Sequence, residues 1–163
     1  MTALDKNAVD DSVDAIVDAL LTASRLLVAL SARSIADIDE TITIPQFRTL
    51  VILSSRGAVN LATLAGLLGV QPSTTGRMVD RLVTAGLIDR QQHPNSRREL
   101  IVELTTRGRK LVRNVTARRR AEIARVVDNM PARERRGLIR ALNAFTTAGG
   151  EPAAHNDVDD PAF

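Results

Sequence analysis

The sequence predicts a mainly α-helical chain carrying one small β-hairpin, and three observations predict it. Apolar residues recur at helical spacing through most of the chain, one short stretch switches to alternation with period two, and glycine and proline punctuate the boundaries between these stretches. With 163 residues, 44% of them hydrophobic, the chain is long enough to bury one real core.

The first element is a long amphipathic helix over residues 8–38, with Val9, Val13, Ile16, Val17, Leu20, Leu21, Leu27 and Leu30 on its apolar side. Thr43-Ile44-Pro45-Gln46 has the form of a capping box, with Pro45 in the first turn, where its missing N–H costs nothing. The helix it opens runs from Phe47 to Ser55 and ends at Gly57. Leu61 to Leu68 is a short helix broken at Gly69, and Pro72 begins another through Met78, Val79, Leu82 and Val83 to a stop at Gly86.

Leu87 to Gln92 and Glu99 to Leu104 then pair as a β-hairpin around the turn Pro94-Asn95-Ser96, with Leu100, Val102 and Leu104 alternating with Ile101 and Glu103. Thr105 or Thr106 starts a long helix to about Asn129, apolar along Leu111, Val115, Ile123, Val126 and Val127. Pro131 restarts a final helix through Leu138, Ile139, Leu142 and Phe145, stopped by Gly149-Gly150. Residues 149–163 have the polar, acidic, proline-containing composition of a disordered tail.

Several functions are excluded by what the residues cannot do. Without cysteine there are no disulfides, thiolate metal sites, cysteine nucleophiles or thiol sensors. The two histidines, His93 and His155, read as solvated side chains, and there is neither a Gly-rich phosphate loop nor metal-ligand spacing. The expectation is therefore no catalytic residue, no metal, no cofactor and no enzyme. No apolar run approaches the ~18 residues of a membrane span, and the acidic start Met1-Thr2-Ala3-Leu4-Asp5 is unlike a secretory signal. A cytoplasmic protein without membrane contact is expected.

Charge points to a partner. Residues 72–140 hold 17 Lys and Arg against 7 Asp and Glu, a net +10, whereas residues 1–71 are at −3 and residues 141–163 at −4. A basic middle between acidic ends is the footprint of a polyanion binder. The run Arg118-Arg119-Arg120 is read as a solvated helix face rather than a phosphate contact.

Two short helices joined by a tight turn, with small Ala65 and Gly69 four apart, suggest a helix-turn-helix. The second helix presents Ser73, Thr74, Arg77 and Arg81 to solvent and turns Met78, Val79 and Leu82 inward. Hydroxyls at a helix start can donate to phosphates and bases, and arginines one turn apart can reach base edges. The hairpin that follows carries Asn95-Ser96-Arg97-Arg98 at its tip, so it can act as a wing that lays an arginine in the minor groove. Arg90 on the incoming strand adds to the same face. The expected DNA-contacting set is Ser73, Thr74, Arg77, Arg81, Arg90, Arg97 and Arg98. The competing expectation for Arg81 is an ion pair with Asp80 or Asp89 that only buttresses the fold.

These stretches resemble the multiple antibiotic resistance regulator (MarR) family of winged-helix repressors. The likeness is carried by residues 43–50, by Leu64-Ala65-Gly66-Leu67-Leu68-Gly69-Val70-Gln71-Pro72-Ser73-Thr74-Thr75, by Arg77-Met78-Val79-Asp80-Arg81-Leu82-Val83, by Ala85-Gly86-Leu87-Ile88-Asp89-Arg90, and by Pro94-Asn95-Ser96-Arg97-Arg98 leading to Leu104-Thr105. It spans roughly residues 10–148. The resemblance implies a winged helix-turn-helix, a homodimer whose outer helices intertwine, and a small-molecule effector or stress signal felt between the dimerisation and DNA-binding regions. Three positions depart from the family pattern. Ser96 stands where an aspartate usually helps to position a wing arginine, Gln71 where a serine cap is common, and Thr75 where an apolar residue usually packs between the two helices.

The expected organisation is a single chain with dimerisation helices at 8–38 and 106–148, a winged helix-turn-helix at 43–104 and a tail at 149–163. Its expected partner is a double-stranded, pseudo-palindromic operator, bound as a homodimer with half-site centres ~10 bp apart. The rival expectation is a winged helix used only for protein–protein assembly, which would have no need of four arginines on one surface. RNA is disfavoured, because single-strand readers rely on exposed aromatics and this chain has only three phenylalanines.

Overall fold

The computed structural model describes residues 12–150 except Pro94. The expected helix start at residues 8–11 and residues 151–163 of the expected tail lie outside the described residues. The described chain forms helices α1 (Val13–Ala36), α2 (Ile44–Arg56), α3 (Leu61–Leu68), α4 (Pro72–Thr84), α5 (Thr106–Asp128) and α6 (Ala132–Ala148). Strands β1 (Val59–Asn60), β2 (Ile88–His93) and β3 (Ser96–Leu104) complete it.

Helix starts follow the local chemistry of the caps. The Ser12 hydroxyl accepts from the Ala15 N–H at the head of α1. Thr43 and Gln46 close the expected capping box on α2: the Thr43 N–H donates to Gln46 Oε1 (2.8 Å), and the Gln46 N–H donates to Thr43 Oγ1 (3.4 Å). Asn60 caps α3 through the Thr63 N–H at 2.7 Å, and Thr105 caps α5 through the Gly108 N–H at 3.0 Å.

The sheet is antiparallel with β3 in the centre, in the order β1-β3-β2. The hairpin register pairs Ile88 with Leu104 and Gln92 with Leu100, then slips so that His93 faces Ser96 near the tip. Both hairpin strands run further toward the tip than the alternation predicted, because ladder pairing continues past the last apolar residue. The third strand, β1, was not anticipated: Val59 and Asn60 pair with Val102 and Ile101, covering the other edge of β3.

The core lies inside the winged unit. Leu50, Leu64, Val79, Leu82, Leu87 and Val102 are fully buried, joined by Val115 from α5. Each such side chain contributes roughly 1.5–3 kcal/mol by leaving water.

The outer helices differ. In α1 only Leu30, Ser34 and Ile35 are buried, and its expected apolar side at Val13, Ile16, Val17, Leu21 and Leu27 faces solvent. Helix α6 buries no residue at all, with Ile139 72% exposed and Phe145 55% exposed. By length and composition α1 could also cross a membrane, with a best-window mean hydropathy of 1.7 despite its interruptions by polar residues.

Candidate nucleic-acid interface

Helices α3 and α4 form the expected helix-turn-helix. Gly69 ends α3 in the left-handed region at φ 68°, and the Val70 N–H donates back to the Ala65 carbonyl at 3.2 Å. Space around Gly69 is open, so backbone conformation alone calls for glycine there. Ala65 is buried where α3 meets α4, as the close crossing requires.

One face of α4 enters the core through Thr75, Val79 and Leu82. The opposite face exposes Ser73, Arg77, Asp80 and Arg81, and Thr74 lies half-buried at its edge. Arg77 and Arg81 sit one turn apart, and neither forms an ion pair among the described residues. The buttressing alternative for Arg81 is therefore not realised there. Asp80 instead pairs with Arg90 on β2, a member of the expected DNA-contacting set, which joins that strand to α4.

Gln71 makes no side-chain cap, so α4 starts only on backbone bonds from the Thr74 and Thr75 N–H groups to the Gln71 carbonyl. Thr75 is fully buried, and its hydroxyl reaches the Gln71 carbonyl only at 3.4 Å. The departures at Gln71 and Thr75 thus meet at one place, the start of α4.

Helix α4 is also tied to α2. The Thr49 hydroxyl donates to the Pro45 carbonyl at 3.0 Å and lies 2.8 Å from Met78 Sδ. Beside this contact an open groove of about 350 Å³ is lined by Thr43, Pro45, Gln46, Thr74, Arg77, Met78 and Arg81.

The wing backbone is placed by β2 and β3, with Ser96 half-buried at the start of β3. The side chains of Arg97 and Arg98 lie outside the described residues. At its base the wing is clasped to α5. The Thr105 N–H donates to the Leu87 carbonyl (3.1 Å), and the Thr105 hydroxyl donates to the Gly86 carbonyl (2.8 Å). Asn60, besides capping α3, donates through Nδ2 to Glu99 on β3.

Arg118, expected on a solvated face, ties α5 to the end of α1 through Asp37 at 2.8 Å and approaches Glu122. Two residues escaped the sequence reading. Asp80 was expected only as an alternative partner of Arg81, and nothing local linked it to Arg90, ten positions away. Gly108 had a signal that could have found it: a glycine in a first helical turn where no turn is needed.

Comparisons with known proteins agree with this geometry. The model of the MarR family matches residues 42–100. The HTH-type transcriptional repressor Rv2887 of Mycobacterium tuberculosis is 34% identical over 101 residues, 62% of this chain and 73% of that protein. The crystal structure of Rv1404, also from M. tuberculosis, superposes with a TM-score of 0.82 at 71% identity, covering 90% of this chain and 99% of that one. A mutant MarR from Escherichia coli complexed with operator DNA shares the fold, with a TM-score of 0.63 at 24% identity over 78% of this chain and 91% of its own.

Proposed function

The chain belongs to the MarR family, and from that premise we propose that it is a transcription regulator that binds double-stranded DNA sequence-specifically, acting as a homodimeric repressor on a pseudo-palindromic operator. The observation that carries the reading is the division of α4. Its inner face is locked into the core by Val79 and Leu82, and its outer face offers Arg77 and Arg81 without an ion pair among the described residues. A rigid helix with two guanidinium groups one turn apart suits the major groove, where an arginine can make two bonds to one guanine.

Ser73 and Thr74 at the start of the same helix would hold phosphates or neighbouring bases, and Arg97 and Arg98 on the wing would enter the adjacent minor groove. The region 43–104 supplies DNA contact. The regions 8–38 and 106–148 supply the dimer, since the exposed apolar residues of α1 and α6 need a second copy to leave water. A small-molecule effector or stress signal would act between the dimerisation and DNA-binding regions, as the family resemblance implies. In this reading the protein works in the cytoplasm and catalyses nothing.

Selection of bound duplexes from random DNA tests the proposal and defines the operator. The expected result is an inverted repeat with half-site centres ~10 bp apart, and affinity that falls steeply with salt as the basic segment displaces counterions. Arg77→Ala and Arg81→Ala should each cost ~1–3 kcal/mol of operator binding and relax preference at one operator position. No enriched sequence, or an affinity flat in salt, would overturn the reading.

A further inference from the structure

Acidic side chains are out of place on a surface that binds DNA, yet Asp80 lies within one turn of both Arg77 and Arg81. On electrostatic grounds alone its carboxylate repels phosphate and should lower affinity. What the structure gives it is a partner from another element. Asp80 on α4 is ion-paired with Arg90 on β2, the two side chains 62% and 32% exposed. The second hairpin strand carries a parallel contact: Glu99, the residue after Arg98, accepts from the Asn60 side chain at the head of α3.

Each wing strand is thus tied to one helix of the helix-turn-helix through an acid. The hairpin has a pairing slip near its tip and a single sheet neighbour beyond β3, the two-residue β1.

We propose that Asp80–Arg90 and Asn60–Glu99 are braces that fix the wing against the recognition helix, and that Arg90 is a positioning residue rather than a DNA reader. The Asp80 pairing has a second effect. It neutralises the one carboxylate on the reading face of α4, leaving Arg77 and Arg81 free of a competing intramolecular partner. The inference rests on the reading of α4 and the wing as the DNA interface. That reading is judged separately, on the unsubstituted protein: failure of the parent to select any duplex sinks the reading itself.

The test is a set of operator-binding titrations across a salt series on full-length variants, with melting temperature and sedimentation recorded for each. Asp80 is exposed and mid-helix, so Asp80→Ala preserves helix propensity. The brace predicts that Asp80→Ala weakens operator binding about fivefold, the scale of one lost surface ion pair. Repulsion alone predicts that it tightens binding.

Arg90→Gln should weaken binding by the same factor, and Asp80→Ala with Arg90→Gln should be no worse than either alone. The slope of log affinity against log salt should stay that of the parent in Arg90→Gln, because a phosphate contact would remove about 0.9 from it. On the second strand, Glu99→Gln keeps an oxygen for the Asn60 amide and should retain parental affinity or better, whereas Glu99→Ala should lose it. Tighter binding by Asp80→Ala, additive losses at 80 and 90, or a reduced slope in Arg90→Gln would each overturn the assignment.

Discussion

Gly108 sits in the first turn of α5, where a glycine weakens a helix, and its reason lies outside the helix. A methyl group built on it would come 2.2 Å from the carbonyl oxygen of Leu87, and the Leu104 side chain closes the other side. Neither neighbour can retreat, because the Leu87 carbonyl accepts the Thr105 N–H and Leu104 is in the core. Gly108→Ala should therefore destabilise the fold by ~3 kcal/mol or more, despite improving helix propensity. Urea unfolding checks this, and a neutral result would mean that α5 can shift away from the wing base. Gly69 and Gly86, by contrast, were legible from sequence. Their positive φ is a local demand of a helix stop, whereas the demand on Gly108 exists only after the chain has folded back on itself. The same distinction separates Arg77 and Arg81, placed correctly by helical periodicity, from Arg90, whose partner on α4 no periodicity could reveal.

Among the elements, α4, which carries the proposed DNA-reading arginines, starts without a side-chain cap. Gln71 has the extended backbone of an N-cap, with φ −65° and ψ 145°, but its side chain caps nothing. Serine has the same backbone preference and a hydroxyl short enough to accept the Thr74 N–H. Gln71→Ser should raise stability by about 0.5–1 kcal/mol, read as a higher urea midpoint at unchanged slope. An unchanged midpoint would show that the backbone bonds to the Gln71 carbonyl already satisfy these N–H groups. Element boundaries were legible at Thr43, Gly57, Gly69, Gly86 and Thr105, where a capping side chain or a positive-φ glycine marks them, but not at Ser12, whose cap starts α1 later than the apolar periodicity does. Strand β1 was not, because two residues are too few to alternate. Its existence follows from β3 having an unpaired edge beside the start of α3.

For the molecule as a whole, the apolar faces expected on the outer helices α1 and α6 are the ones the single chain largely leaves in water. Helix α6 is the extreme: it buries nothing, yet Ile139, Leu142 and Phe145 lie along one side. These positions separate two properties that usually fail together. A charge at Ile139 or Phe145 removes little packing from the described chain, since those side chains are 72% and 55% exposed. In a dimer built from 8–38 and 106–148, the same charge would be buried without a partner. Ile139→Glu combined with Phe145→Glu should therefore give a folded monomer by sedimentation at micromolar concentration. Its melting temperature should no longer rise with protein concentration, as the parent's should. Operator affinity should fall on the order of 10²-fold or more, because two half-sites are no longer held by one rigid partner. Binding to an isolated half-site should change little. If the doubly substituted chain still sediments as a dimer, α6 lies outside the interface and the exposed face of α1 carries the association instead.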